Sequence, residues 1–205
     1  MYRRSMYRRS RQYCPPSRKI LYSSGTSRID RVDFTDFHQS FRADIGRTVG
    51  NLVDRYPSAP FHGVVPFEKP GDRSLGYEDG GTVHLNLFWF GRPKANLLAA
   101  AVEGDRRGAR GIARWHGGMP EPVHVLTHEF GHVLAGGVKD DLGFGRLLRD
   151  GFGAARLRPS LAISGYALAD RDEWWAETFA ASELADADVD NPQIGAVSRY
   201  LAGLR

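Results

Sequence analysis

One stretch constrains this chain more than any other: PVHVLTHEFGHVLA at 122–135, followed by Gly136 and Gly137. Proline suits the first turn of a helix and glycine its end, so the spacing predicts a helix from Pro122 that stops at Gly136-Gly137. Val125, Leu126, Phe130 and Val133 are expected to bury it, and Gly131 to keep its ligand face slim. Two histidines four residues apart on a helix share a face and can bind one tetrahedral metal ion. His128 and His132 have that spacing. Glu129 follows His128 by one residue, about 100° round the helix, where it reaches a metal-bound water rather than the metal. A catalytic zinc takes three protein ligands and leaves a fourth position for water, whose pKa falls to about 7. A carboxylate beside that water can accept its proton and pass it to a leaving amine.

The third ligand decides the subtype. No histidine follows His132, and Val138 and Ala135 stand where a metzincin would need His and Gly. The single cysteine, Cys14, cannot form a cysteine cluster or an intrachain disulfide. A downstream carboxylate is required, and Asp140, Asp141, Asp170, Asp172, Glu173 and Glu177 are the candidates. Glu173 and Glu177 make the stronger case. They are four apart on a segment that Asp170 is expected to cap, and Trp174, Trp175, Phe179 and Ala180 should bury that segment. One of the two can bind the metal while the other accepts the outer N–H of a ligand histidine. Buried carboxylates require such partners.

The rest of the chain predicts an α+β domain with a small sheet. Apolar residues from Phe34 to Tyr56 recur at helical spacing up to Pro57. FHGVVPF at 61–67 reads as a short strand, 68–81 as loop, and 82–90 as a longer strand placed to line a cleft and pair with extended substrate. A helix at 92–104 and a basic glycine-rich loop at 105–119 follow, with His116 near the substrate path. After the central helix, 141–157 reads as a helix broken by glycines, 157–169 as a connection, 172–185 as a helix capped by Asp170, and a last helix starts near Pro192. His124, four residues before His128, reads as a hydrogen-bonded structural histidine.

HEFGH followed some forty residues later by SGYALADRDEWWAETFA resembles the gluzincin metallopeptidases related to the catalytic domain of anthrax lethal factor, a group also seen as domains in bacterial toxins and phage proteins. The resemblance covers roughly Val123 to Ala181, and its specific element is Tyr-x6-Glu-x-x-Ala-Glu beside the His-Glu pair. It implies a zincin-like metallopeptidase domain built on an active-site helix. It also implies zinc as cofactor, His128, His132 and Glu173 as ligands, Glu129 as base, and Glu177 as the partner of a ligand histidine. Tyr166 would donate its hydroxyl to the developing oxyanion. The implied activity is a zinc endopeptidase acting on a peptide or protein.

Charge divides the chain into two regions. Residues 1–31 hold nine Lys and Arg against one Asp, a balance of +8; with +4 for the whole chain, 32–205 carry −4. The basic segment reads as a disordered tail able to contact a polyanion, and 32–205 as the folded domain. A second reading is therefore a phage- or toxin-associated protein that keeps the zincin fold for binding or structure and works through a nucleic-acid-binding arm. The start lacks the apolar stretch of a secretory signal and no apolar run reaches membrane-spanning length. Cytoplasm or virion is the expected location, and oligomeric state is open.

Overall fold

The computed structural model describes residues 34–69, 74–91, 122–184 and 191–205. The basic tail with Cys14, the expected helix at 92–104 and the loop carrying His116 lie outside the described residues. Helices and a three-stranded sheet together make an α+β fold.

Helix α1 spans Gln39–Arg55 and buries Phe41, Ile45, Val49 and Leu52 on one face. It starts later than the apolar spacing predicts. Its cap is His38, whose side chain accepts from the Ser40 amide, and the Arg42 guanidinium donates to the carbonyls of Thr35 and Phe37. Phe37 is buried all the same, from the turn before the helix.

Strand β1, Gly63–Phe67, pairs in parallel with β3, Thr82–Asn86, and β2, Gly76–Asp79, pairs antiparallel with the other side of β3. Three expectations fail here. The stretch 68–81 is not all loop: Gly80 and Gly81, with φ of 57° and 85°, make a two-residue turn that returns β2 onto β3. Nor is 82–90 a continuous strand. The Asn86 side chain accepts from the Phe88 amide and starts a one-turn helix, α2 at Leu87–Phe90. β3 is moreover the central strand, paired on both sides, so it has no edge to offer a substrate. Among the described residues, β2 forms the edge on that side.

Helix α3, Pro122–Val138, runs through Gly136 and Gly137 rather than stopping at them. It packs against α1, β2 and β3 on one side and α5, Arg171–Leu184, on the other. Being apolar nearly all round, it is buried nearly all round. One core, with Phe41, Val49, Val64, Val83, Leu85, Val125 and Leu126, fills the space between α1, the sheet and α3. The second brings Phe130 and Leu134 of α3 against Trp174, Trp175 and Phe179 of α5, with α4 at Leu142–Leu157 and α6 at Pro192–Leu201 behind them.

The glycines of α4 do not break it. A Cβ on Gly151 would come within 2.2 Å of the Trp174 ring, so this glycine makes room for the indole. Trp174 Nε1 donates to Gln193 Oε1 at 2.9 Å and thereby ties α5 to α6. Between α4 and α5 the expected connection contains two 3-10 turns, Pro159–Leu161 and Tyr166–Leu168. No helix among the described residues is long and apolar enough to cross a membrane.

Candidate metal centre

The close approach of α3 and α5 builds the site. Gly131 faces α5, and a Cβ there would stand 3.1 Å from both Ala176 Cα and Phe179 Cδ1. Trp175 Nε1 donates to the Gly131 carbonyl at 2.7 Å. Gly131 therefore lets two helices touch instead of slimming a ligand face. The start of α5 is fixed by Asp170, whose side chain accepts from the Glu173 amide at 2.9 Å. That cap places Glu173 in the first turn and Glu177 in the second, opposite the histidines of α3.

Three donor atoms meet there. Glu173 Oε2 lies 3.2 Å from His128 Nε2 and 3.6 Å from His132 Nε2. Ring or carboxylate atoms of His128, Glu129 and His132 also lie within 4.8 Å of one another. On the far side of the His128 ring, Nδ1 is 2.9 Å from Glu177 Oε1. The same oxygen is 3.8 Å from His124 Nε2. Tyr166, half-buried at the head of the second 3-10 turn, brings its ring to 6.1 Å from that of His128. His124, His128, Glu129 and Glu177 are all buried, whereas the side chains of His132 and Glu173 are 18% and 13% exposed, so the cluster opens on one side.

Of the other carboxylates open to the third position, Asp141 caps α4, accepting from the Phe144 amide at 2.6 Å, and Asp170 caps α5. Both have structural employment. Glu173 and Glu177 are the two that reach the histidines.

Electrostatics follow from burial and charge. Burial alone would drive His128 toward its neutral form, but the Glu173 and Glu177 carboxylates outweigh it and hold the imidazole well above its ordinary pKa. Burial likewise opposes the charge on Glu173, yet contact with His128 and His132 brings its pKa down to about 2. Glu177 is held lower still. Glu129 moves the other way. Burial raises its carboxyl, the Glu173 and Glu78 carboxylates add to this, and the two histidines oppose it. Glu78 comes from β2, so the edge strand contributes charge to the site.

The buried His and Glu groups could hold a small divalent cation: donor atoms of His128, Glu129 and His132 lie within 4.8 Å of one another, and so do those of His124, His128 and Glu177. His124 Nε2, both ring nitrogens of His128, Glu129 Oε1, Glu173 Oε2 and both Glu177 oxygens are buried without a hydrogen-bond partner among the described residues, a costly condition unless something charged joins them. Two ligands on one tetrahedral zinc, bound at about 2.0–2.1 Å, stand about 3.3–3.4 Å apart. The separations of 3.2 and 3.6 Å bracket that value. Nitrogen and carboxylate donors suit zinc, and they suit other small divalent ions as well.

Compared with protein-family models, curated proteins and solved structures, the chain matches none.

The contact of His124 with Glu177 and the hairpin strand β2 are the two parts of this region that the spacing of motifs does not reveal. The signal for β2 is present in Asp79-Gly80-Gly81-Thr82, a two-residue turn sequence between β-formers. For His124 the only signal is its place one turn ahead of His128.

Proposed function

We propose that this chain is a zinc-dependent endopeptidase of the gluzincin type, with a zincin-like fold in which His128, His132 and Glu173 hold the metal. The observation that carries the reading is the approach of Glu173 Oε2 to both histidine Nε2 atoms while the Glu129 carboxylate stands beside them with a buried, unpartnered oxygen. Zinc bound there supplies a Lewis acid that makes water acidic near neutral pH and polarises a peptide carbonyl.

The remaining roles belong to the chain's own side chains. Glu129 accepts a proton from the attacking water and delivers it to the amine that leaves, so the bond gains one water across C–N and the carboxylate is regenerated. Tyr166 donates its hydroxyl to the oxygen that becomes negative in the tetrahedral intermediate. Glu177, whose Oε1 stands 2.9 Å from His128 Nδ1, would accept the proton there and so fix the tautomer that leaves Nε2 free to bind. An extended peptide would approach along β2, the strand at the sheet's edge.

Zinc content and hydrolysis of a denatured protein substrate test the reading together. Wild type is expected to hold one zinc per chain and to cleave; Glu129→Gln keeps the metal and loses at least about a hundredfold in kcat. Glu173→Gln loses the metal. A wild type without stoichiometric zinc sinks the proposal. Zinc without hydrolysis of any peptide bond points instead to a binding or structural protein.

A further inference from the structure

Resting on the metal-centre reading, we infer that His124 is a positioning residue of the site: it braces the Glu177 carboxylate so that Glu177 stays on His128 Nδ1. His124 sits on α3 one turn before His128, 2% exposed, with its ring 6.3 Å from the His128 ring. Its Nε2 is 3.8 Å from Glu177 Oε1, an ion-pair separation longer than a hydrogen bond, and the same oxygen lies 2.9 Å from His128 Nδ1. The carboxylate is thus flanked by two imidazoles that the i, i+4 spacing puts on one helix face.

Glu177 needs that bracing. Its side chain is 1% exposed, and the ion contacts of its carboxylate among the described residues are these two histidines. A buried carboxylate with a single partner is costly and free to turn about its last bond. Any turn of Glu177 releases His128 Nδ1, and with it the ring orientation and tautomer on which metal binding at Nε2 depends. His124 acts through Glu177, and the inner face of the site becomes a three-member array, His124–Glu177–His128.

The test is zinc affinity of the full chain by competition with a chromophoric chelator, read beside thermal unfolding of the metal-free protein. His124→Leu is expected to weaken zinc binding about tenfold to a hundredfold, the range for losing an outer partner of a ligand. His124→Gln, which can present an amide N–H where Nε2 stood, should stay within about threefold of wild type by the same reasoning. His124→Asn, polar but too short to reach, should behave as His124→Leu does and serves if the leucine variant does not fold. The decisive comparison is a double substitution. If His124 works through Glu177, His124→Leu costs nothing further in a Glu177→Ala background.

Equal losses in both backgrounds, or unchanged affinity in the folded single variants while wild type holds zinc, overturn the role of His124 and leave the metal centre standing. A wild type without stoichiometric zinc overturns the metal centre and this role with it. A second equivalent of zinc, lost on His124→Leu, would make His124 a ligand and also overturn the positioning role.

Discussion

The Trp175 indole N–H donates to the Gly131 carbonyl at 2.7 Å, inside a contact so tight that a methyl group on Gly131 would meet the backbone of Ala176 at 3.1 Å. The histidines and carboxylates of the proposed metal site come from helices that touch at this point. Alanine is the better helix former by about 1 kcal/mol, so on propensity alone Gly131→Ala would stabilise. The neighbour is backbone and cannot yield, so overpacking of about 1–3 kcal/mol is expected to win. Zinc affinity should fall along with the melting temperature. Calorimetry with and without zinc measures both, and a stabilised variant would contradict the packing argument.

Gly151→Ala is expected to cost more than Gly131→Ala. The new methyl would lie 2.2 Å from the rigid Trp174 ring, which also holds Gln193. A loss toward the upper end of about 1–3 kcal/mol in urea unfolding is the expected result. Metal affinity should change less than in Gly131→Ala, because the atoms nearest the added methyl at Gly151 all belong to the Trp174 ring and none to the histidine helix.

The charge pairs predict opposite pH trends with and without metal. Glu173 is depressed from 4.5 to about 2, so its contribution to metal-free stability is present above about 4.5 and is lost as pH falls toward 2. His128 is raised above 6.5, so its contribution is full below that value and fades as pH rises through its higher folded pKa. These are one interaction seen from its two partners. In chelator the protein should therefore be most stable between about 4.5 and 6.5 as far as this cluster is concerned. Zinc requires His128 without its proton, so the rise in melting temperature on adding zinc should grow from pH 6 to 8. A zinc-induced shift that shrinks over that range would contradict the ligand set.

Away from the site, Glu183 gathers Arg55, Arg205 and the Tyr56 hydroxyl around one carboxylate that is 3% exposed. Glu183→Ala leaves three donors without their shared acceptor and is expected to cost about 2–4 kcal/mol. Arg205→Ala removes a side chain that is 40% exposed and should cost under about 1 kcal/mol. Urea unfolding of the two variants gives the order, and a larger loss from Arg205→Ala would show that the hub is wrongly ranked.

Much of this arrangement can be read from residue spacing, and the exceptions share a cause. The buried face of α1, the cap at Asp170, the start of α6 at Pro192 and the pairing of His128 with His132 are local patterns, visible because each depends on residues a turn apart. The choice of Glu173 and Glu177 over Asp140 and Asp141 was narrowed by the absence of later histidines and by an apolar helix that had to bury its acids. What spacing could not supply depends on a second element. Gly131 and Gly151 read as a slim face and a break, yet their roles are set by Ala176 and Trp174 on the neighbouring helix. The run 82–90 is rich in β-branched and aromatic residues, and one buried Asn86, bonded to Ser74 and to the Phe88 amide, turns its second half into helix.

The cap at Asp170 sets more than a boundary. A helix advances about 100° per residue, so the place where α5 begins is also its angular phase. Adding a residue between Asp170 and Glu173 would swing the first carboxylate far from His132, while helix content and hydropathy stayed nearly the same. Added length between 158 and 163 would leave that phase intact, because the cap re-establishes it. Homologous chains of this design should therefore vary in the number of residues before Asp170 and keep a fixed count from Asp170 to Glu177.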